Sequence, residues 1–378
     1  MDSMEAFKSM PEKSIAALDA ARESGTLVVG VYCIYAPGEL IRACGAVPVG
    51  LCGKRQKPIQ AAEEHLPASL CPLIKSSYGY AITETCPFFS AAQVLAAEST
   101  CDGKKKMYEL MASLKPMHVM QLPHTQEGEA AFRYWLDSLR GLEAFLVRHG
   151  ARPAEPEALR REIARHNALR RQMDALLRLA ADPLSPLTGL DLLAVQESKG
   201  FVVDQDAYAA MLAALMRDVR VALALQGRSP RRGARLMLTG CPVGKGAEKV
   251  VRIAEELGAH VVCMENCTGL KGLDLLVDEE GDPWEALARR YMRIPCSCMS
   301  PNPNRRASLA SLGREYGVRG VVDLTWLGCH TYNVESWHVR QWVEQDLGLP
   351  LLHVETDYSE ADEEQLRTRI EAYLELID

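Results

Sequence analysis

The first third of the chain alternates short apolar runs with amphipathic stretches. The β-branched run 26–35 predicts a buried strand, and residues 47–51 predict a second one. Pro37 and Gly45 mark the start and the end of a short helix between them. Two more strands and an intervening helix are predicted at 93–97, 116–122 and 104–114. Because strands that alternate with helices pair in parallel, this part predicts a parallel sheet.

Helical periodicity dominates the middle of the chain, from about residue 127 to residue 227. Five apolar residues recur there close to helical spacing, with arginines between them: Leu159, Ile163, Leu169, Met173 and Leu177. Pro183 and Pro186 interrupt this run, and a second helical stretch is predicted over 204–225. We expect this segment to pack on the first sheet or to bridge the parts on either side of it.

The last part of the chain shows the clearest alternation of strands and helices. Strands are predicted at 235–239, 260–264, 320–326 and 351–355, and helices at 247–257, 284–291, 306–316, 335–347 and 360–376. This alternation is typical of a doubly wound sheet, whose ligands bind at the carboxyl ends of the strands. The predicted fold class is therefore α/β, with two doubly wound, Rossmann-like parallel-sheet domains that face a cleft and a helical middle segment. The predicted divisions are residues 1–126, 127–227 and 228–378.

Composition and charge exclude several classes of partner. The 378 residues are 48% hydrophobic and 25% charged, which is typical of a globular protein with two or three domains. The net charge of -7 argues against nucleic-acid binding, and we interpret the arginines within 160–171 as a solvated helix face. No apolar run approaches the roughly 20 residues that span a bilayer, and no apolar signal region stands near the start. We therefore expect a cytoplasmic protein with no nucleic-acid or membrane partner.

Twelve cysteines add candidate chemistry to this picture. Six lie before residue 102, six lie after residue 240, and none lies between. In a reducing compartment such thiols stay free, bind metal or carry out redox chemistry. Five of them stand at or just after predicted strand ends: Cys101, Cys241, Cys263, Cys267 and Cys329. We expect two facing sheets to gather these thiols at one cleft.

Three cysteines are followed directly by proline, namely Cys71, Cys86 and Cys241. This pair is typical of a helix start at which cysteine is the cap and proline takes the first helical position. A thiol in that place faces the positive end of the helix dipole, so we expect its pKa to be lowered. The alternative is a turn in which the cysteine and the proline are neighbours by coincidence.

The spacing of the cysteines indicates which metal chemistry they suit. The chain contains no Cys-x-x-Cys pair, and Cys296-Ser-Cys298 with the wider pair Cys263 and Cys267 is insufficient for a zinc signature. Soft thiolates without histidine partners favour iron–sulfur clusters. The run from Gly240 to Gly246 is too short for a Walker A loop and lacks its Ser or Thr, so ATP would be hydrolysed by another protein.

Three longer motifs carry a resemblance to a known family. They are Cys71-Pro-Leu-Ile-Lys-Ser-Ser-Tyr-Gly79, Thr100-Cys-Asp-Gly-Lys-Lys-Lys-Met-Tyr108 and Gly328-Cys-His330. They resemble the cysteine motifs of the 2-hydroxyacyl-CoA dehydratase D-component family, and residues 32–48 are similar to that family's first strand and helix. The resemblance covers nearly the whole chain and is weakest across the helical middle.

Within that family the chain looks most like the double-cubane cluster proteins, which are ATP-dependent dehydratase-like reductases. The motifs that suggest this subgroup are Thr85-Cys-Pro-Phe88, Glu265-Asn-Cys-Thr-Gly269 and Pro295-Cys-Ser-Cys-Met-Ser-Pro-Asn302. The resemblance implies a homodimer with two sulfide-bridged [4Fe–4S] cubanes per chain in a cleft between domains. It also implies low-potential reduction of a small molecule, with electrons from a separate ATPase that itself carries a cluster.

The resemblance also divides the thiols into groups. It implies that the cubane shared with dehydratases is held by Cys71, Cys101 and Cys329. It implies that the second cubane is held by Cys86, Cys267 and one of Cys296 or Cys298. Of the remaining thiols, Cys44 and Cys52 stand in apolar surroundings, where we expect core residues, whereas Cys33 and Cys241 lie near the cleft and stay open.

Reduction consumes protons, so a donor beside the cluster is expected. His330 next to Cys329 and Glu265 near Cys267 are the candidates, with a hydrogen-bonding role near the cluster as the alternative for each. His118 and His124 stand further from the motifs. Two other functions stay open: a 2-hydroxyacyl-CoA dehydratase subunit that uses one [4Fe–4S] cluster and ketyl radical chemistry, and a non-enzymatic thiol or zinc protein.

Overall fold

A computed structural model describes residues 1–225 and 229–377. The elements of the first part are, in chain order, α1 (Asp2–Lys8), α2 (Met10–Glu23), β1 (Val28–Val31), α3 (Gly38–Ala43), β2 (Val47–Gly50), α4 (Ile59–Ala62), α5 (Pro72–Ile82), α6 (Pro87–Ala91), β3 (Val94–Glu98), α7 (Asp102–Met111) and β4 (Met117–Met120). The middle part consists of α8 (Glu129–Arg148), α9 (Pro156–Ala180), α10 (Gly189–Ser198) and α11 (Gln205–Ala224). A short 3-10 turn, Lys199–Phe201, follows α10.

The last part repeats the alternation of the first. Its elements are β5 (Arg235–Gly240), α12 (Lys249–Glu256), β6 (His260–Glu265), α13 (Pro283–Met292), α14 (Pro303–Glu315), β7 (Gly320–Trp326), α15 (His330–Leu347), β8 (Leu351–Thr356) and α16 (Glu363–Ile377). Within the described ranges, none of these helices combines the length and the apolar character that crossing a bilayer requires.

Both sheets are parallel and have the same strand order. The first sheet is ordered β2-β1-β3-β4 and the second β6-β5-β7-β8. In each half the chain leaves the first strand, adds one strand on one side and then crosses to the other side. This confirms the predicted α/β class with two doubly wound sheets. The order reverses between β1 and β3 and between β5 and β7, and these two points are where such sheets bind ligands.

The long helix α9 connects the two sheets through their apolar cores. Its first half buries Leu159 and Ile163 in the cluster that covers one face of the first sheet. Its second half buries Met173 and Leu176 in the cluster that covers one face of the second sheet. The division into residues 1–126, 127–227 and 228–378 stays a prediction, and its boundary between residues 227 and 228 lies outside the described residues.

One segment of the last part packs on the first sheet rather than on its own. Trp284 of α13 shares an apolar cluster with Trp135 of α8 and with strands of the first sheet. The segment after α13 is anchored there too, because the Tyr35 hydroxyl donates to the carbonyl of Ile294 at 3.1 Å. This packing brings Cys296-Ser-Cys298 from the second half of the chain to the first sheet.

Two local predictions were wrong, and backbone conformation explains both. The run 26–35 forms a strand only over Val28–Val31, because Cys33 takes a left-handed conformation with φ 71°. Cys241-Pro242 does not begin a helix, since α12 starts only at Lys249. The intervening loop turns at Gly246, which has φ 101°, a conformation that glycine adopts readily. Cys71-Pro72 and Cys86-Pro87 do begin helices, as predicted.

The apolar cluster around the first sheet provides a test of the packing. Trp135 is fully buried and contacts the Tyr35 ring edge-on, with the ring centroids 6.0 Å apart. Trp135→Ala should lower the free energy of unfolding by about 3–5 kcal/mol because it leaves a large cavity. The neighbouring Tyr134 is 49% exposed, so Tyr134→Ala should change it by less than about 0.5 kcal/mol. Urea denaturation measures both, and equal effects would contradict this packing.

Candidate functional site

Cysteines follow three equivalent strands in each sheet. In the first sheet Cys33, Cys52 and Cys101 stand two or three residues beyond the ends of β1, β2 and β3. In the second sheet the corresponding residues after β5, β6 and β7 are Cys241, Cys267 and Cys329. Because β1 and β3, like β5 and β7, flank the point where strand order reverses, the thiols concentrate where a doubly wound sheet binds its ligand.

All six of these cysteines line one cavity of about 660 Å³ between the two sheets. Three further cysteines reach the same cavity from the connections between strands: Cys71, Cys296 and Cys298. Nine of the twelve cysteines therefore line the same cavity. This group includes Cys33 and Cys241, which the sequence left open, and Cys52, which we expected in the core.

The other three cysteines lie away from the cavity. Cys44 is 1% exposed within the apolar cluster of the first sheet, as predicted. Cys263 lies inside β6 rather than at its end, and it packs in the core beneath the second sheet. Cys86 caps α6 at a half-buried position outside the cavity wall. The structure therefore does not bring Cys86 together with Cys267, Cys296 and Cys298.

Several cavity thiols stand at the N-termini of helices. Cys71, Cys101 and Cys329 are the residues directly before α5, α7 and α15. Backbone N–H groups of the first turn act to lower the pKa of each of these thiols, as the helix dipole predicts. The chain thus places three thiols where the unpaired N–H groups of a helix favour negative charge.

The predicted lowering of pKa at the Cys-Pro positions was nevertheless wrong. At Cys71 a hydrogen bond to Cys329, together with burial, raises the pKa well above its ordinary value. Burial outweighs the helix N-terminus at Cys86, and it also raises the pKa of Cys241. The thiol whose pKa is lowered is instead Cys329, because its sulfur accepts hydrogen bonds from the thiols of Cys241 and Cys71.

Two more thiol pairs share a proton in the same way. A hydrogen bond from Cys33 lowers the pKa of Cys267 to about 6, against the opposing effect of burial. A hydrogen bond from Cys298 lowers the pKa of Cys296. The pKa of three cavity thiols is thus lowered, which increases the share of the thiolate, the form that binds metals.

One lysine faces the thiols of the first sheet. Burial lowers the pKa of Lys104, but the neighbouring Cys33, Tyr108 and Cys52 groups raise it well above its ordinary value. No carboxylate in the described chain forms an ion pair with Lys104. Its charge therefore acts on the neighbouring thiols and on the buried Glu98 carboxylate, whose pKa it lowers against the larger effect of burial.

The two candidate proton donors occupy very different positions. His330 is the first residue of α15, is exposed and lines the cavity. Glu265 is fully buried at the end of β6 and does not line the cavity. It lies 3.2 Å from Lys271 Nζ and accepts a hydrogen bond from Thr239 Oγ1 at 2.5 Å. The structure therefore brings His330, and not Glu265, to the thiols.

The buried charges around Glu265 support the cavity wall from behind. Lys271 Nζ donates to the Tyr332 hydroxyl at 3.2 Å, and that hydroxyl lies 3.9 Å from Cys267 Sγ. The Arg305 guanidinium lies over the Tyr332 ring at 5.0 Å from its centroid. These contacts fix Tyr332, so Glu265 belongs to a network that positions the wall. His118 stacks on Phe145, and neither it nor His124 lines the cavity.

Sequence reasoning missed four basic residues that line the cavity: Arg42, His166, Lys199 and Arg290. A fifth, Arg170, was predicted on a solvated helix face, and this was wrong, because it is 8% exposed and pairs with Glu39 at 2.6 Å. Burial lowers the pKa of Lys199 to about 7 and that of His166 to about 4. The only sequence signal was a lysine and arginines within helices that also carry apolar stripes, which is equally typical of solvated helix faces.

The arrangement suits a group larger than one ion. No three His, Cys, Asp or Glu side chains among residues 1–225 and 229–377 converge at the spacing of a single metal ion. A set of soft thiols spread around one cavity is instead the donor chemistry of iron–sulfur clusters. The residues present therefore fit such a group.

Comparisons with known proteins agree with the motifs. The model of a family described as 2-hydroxyglutaryl-CoA dehydratase, D-component, matches residues 33–377. A protein of Escherichia coli (strain K12) named "Putative dehydratase subunit YjiM" is 42% identical over 94% of this chain and 93% of its own.

Two further relatives are more distant and have the same coverage of nearly the whole chain. The (R)-phenyllactyl-CoA dehydratase beta subunit of Clostridium sporogenes is 21% identical over 94% of this chain and 93% of its own. Lactoyl-CoA dehydratase subunit beta of Anaerotignum propionicum is 23% identical over 95% of this chain and 94% of its own. With the strands, the cysteine positions and the family model in agreement, the chain belongs to the 2-hydroxyglutaryl-CoA dehydratase D-component family.

Proposed function

We propose that this protein is an iron–sulfur reductase that holds two [4Fe–4S] cubanes, sulfide-bridged, in the cavity between its sheets. In this proposal it reduces a small molecule at low potential, as a homodimer, with electrons from a separate ATPase that carries its own cluster. The observation that carries the proposal is the set of nine cysteines around one cavity. A dehydratase with a single cubane uses fewer thiols than this cavity offers.

The ligand assignment follows from which thiols the cavity brings together. For one cubane we retain Cys71, Cys101 and Cys329, which all line the cavity from helix N-termini. For the second we retain Cys267 with Cys296 or Cys298. The resemblance implied Cys86 as the third ligand of this cubane. We assign Cys33 to that position instead, because Cys33 lines the cavity and hydrogen-bonds to Cys267.

The remaining cavity groups have supporting roles in this proposal. Lys104 offsets negative charge on the sulfurs that it faces. His330 delivers a proton from the exposed start of α15 to a substrate in the cavity. Tyr332, fixed by Lys271 and Arg305, keeps Cys267 in place. A low-potential iron–sulfur cluster supplies single electrons when bound.

The second candidate function is that of a 2-hydroxyacyl-CoA dehydratase subunit. The names of the relatives favour it, since two of them are beta subunits of acyl-CoA dehydratases. Such a subunit would work with a different partner subunit and would bind a thioester. Both functions require iron–sulfur chemistry at the same cavity, so they differ in cluster number and in partner.

Metal analysis tests the cluster assignment. Anaerobically reconstituted protein should contain about eight iron atoms per chain, because two [4Fe–4S] cubanes are present. Cys101→Ala and Cys267→Ala should each lose about half of the iron or more. Cys86→Ala should keep the full content, as should the matched control Cys44→Ala.

The outcomes of this assay separate the alternatives. About four iron atoms in the unmodified protein would favour the dehydratase subunit. Stoichiometric zinc without iron–sulfur absorption would overturn both enzymatic functions. Iron loss in Cys86→Ala as large as that in Cys267→Ala would restore Cys86 as the ligand in place of Cys33.

A partner assay separates the reductase from the dehydratase. Sedimentation of the anaerobic protein should give a homodimer of the 41.7 kDa chain. With a partner ATPase it should transfer electrons to a small acceptor only while ATP is hydrolysed, with no second dehydratase subunit present. A strict need for a second subunit and a CoA thioester would show that the reductase assignment is wrong.

A further inference from the structure

Basic side chains are abundant in the lining of the cavity. Seven lysine or arginine side chains line the cavity, against two carboxylates. One of these carboxylates, Glu197, is already paired with Lys54 at 2.7 Å. The other, Asp102, pairs with Lys105 at 2.6 Å. A third cation, Arg170, pairs with the buried carboxylate of Glu39 behind the wall at 2.6 Å. The remaining cations give the cavity an excess of positive charge.

Lys199 is the least compensated of these cations. Its ammonium donates to the carbonyl of Gly269 at 2.8 Å and to that of Thr268. No carboxylate of the described chain forms an ion pair with it, and its charged neighbours include Lys54, Arg290 and Arg170. A lysine has three N–H donors, so one proton of Lys199 is free for a ligand.

Two arginines beside Lys199 are held in different ways. Arg290 is 4% exposed, and it donates from Nε to the carbonyl of Leu275 at 3.0 Å and from Nη2 to that of Gly272. Arg170 shares Glu39 with the Tyr291 hydroxyl, at 2.6 and 2.7 Å. Backbone carbonyls orient Lys199 and Arg290 but offset their charge only in part, whereas Arg170 is compensated by the Glu39 carboxylate. Burying uncompensated charge costs several kcal/mol, which a bound anion would recover.

Apolar residues surround the basic groups. Phe201 and Val202 follow Lys199 after Gly200, and Leu169 and Met173 of α9 line the same cavity. This combination fits an anion with a short hydrocarbon chain better than it fits an inorganic ion. The anionic clusters of the proposed function are the competing explanation for the charge, since Lys199 also lies near Cys267.

We propose that Lys199 binds the carboxylate of a small organic acid in this cavity, with the acid's hydrocarbon chain against the neighbouring apolar residues. The reduction of such an acid rests on the proposed function, whereas its binding does not. The carboxylate would anchor the substrate at Lys199.

Calorimetry with a matched pair of probes tests the binding. Crotonate and crotonamide have nearly the same shape, but only crotonate is charged. The anaerobically purified protein should bind crotonate at least about tenfold more tightly than crotonamide, because a charged hydrogen-bond partner is lost in the amide. Lys199→Met should abolish this preference, and Lys199→Arg should retain part of it.

The controls separate this proposal from the proposed function. Lys105→Met, at a half-exposed cavity residue already paired with Asp102, should bind crotonate as the unmodified protein does. Iron content and thermal melting should be unchanged in Lys199→Met. Equal binding of the two probes, or no binding of crotonate, would overturn the carboxylate site. It would also be overturned if crotonyl-CoA bound more tightly than crotonate through its phosphates alone. Iron loss in Lys199→Met would also overturn it, by assigning the lysine to the cluster, while leaving the reductase proposal intact.

Discussion

The site depends on holding the carboxyl edges of two separate parallel sheets against one another. In each sheet three strands are followed closely by a cysteine, and residues from both halves of the chain line the cavity. The relative position of the sheets is fixed by apolar burial in two places. The helix α9 reaches from the cluster of one sheet to that of the other, and α13 crosses from the second half to pack with Trp135 on the first. Burial of this kind excludes water and leaves little freedom for the sheets to separate.

The same constraint determines the chemistry of the cavity. Burying many thiols beside one another raises the pKa of Cys71 and Cys241, because burial and neighbouring sulfurs disfavour charge. Hydrogen bonds between sulfurs then lower the pKa of Cys267, Cys296 and Cys329. Backbone N–H groups, Lys104 and the other basic side chains of the lining supply positive potential around them. In the proposed function this potential would favour an anionic cluster and an anionic substrate.

Much of this could be predicted from local patterns. Apolar runs located the strands, and their ends located Cys101, Cys241, Cys267 and Cys329. The Cys71-Pro72 and Cys86-Pro87 pairs correctly marked helix starts. Cys241-Pro242 did not, because the glycines around it bend the chain before α12, and a dipeptide does not report that conformation. Cys52 was predicted as a core residue because its neighbours in sequence are apolar. In the structure it follows a strand that ends at the cavity.

Long-range contacts account for what local patterns missed. Lys199 is positioned by hydrogen bonds to the carbonyls of Thr268 and Gly269, which lie 69 and 70 residues away in the sequence. The residues beside Lys199 in the sequence therefore do not indicate a cavity. Glu265 stands beside a thiol in sequence but points into a network with Thr239, Lys271 and Arg305. Cys86 matches a family motif, yet the fold leaves it outside the cavity wall. Only the packing of both sheets distinguishes these positions.

Anomalous diffraction at the iron absorption edge from anaerobically grown crystals tests the central claim most directly. The account predicts iron peaks for two cubanes inside the cavity, bonded to sulfurs that include those of Cys33, Cys71, Cys101, Cys267 and Cys329. Iron bound at Cys86, or a cavity whose nine cysteines carry no iron at all, would contradict it.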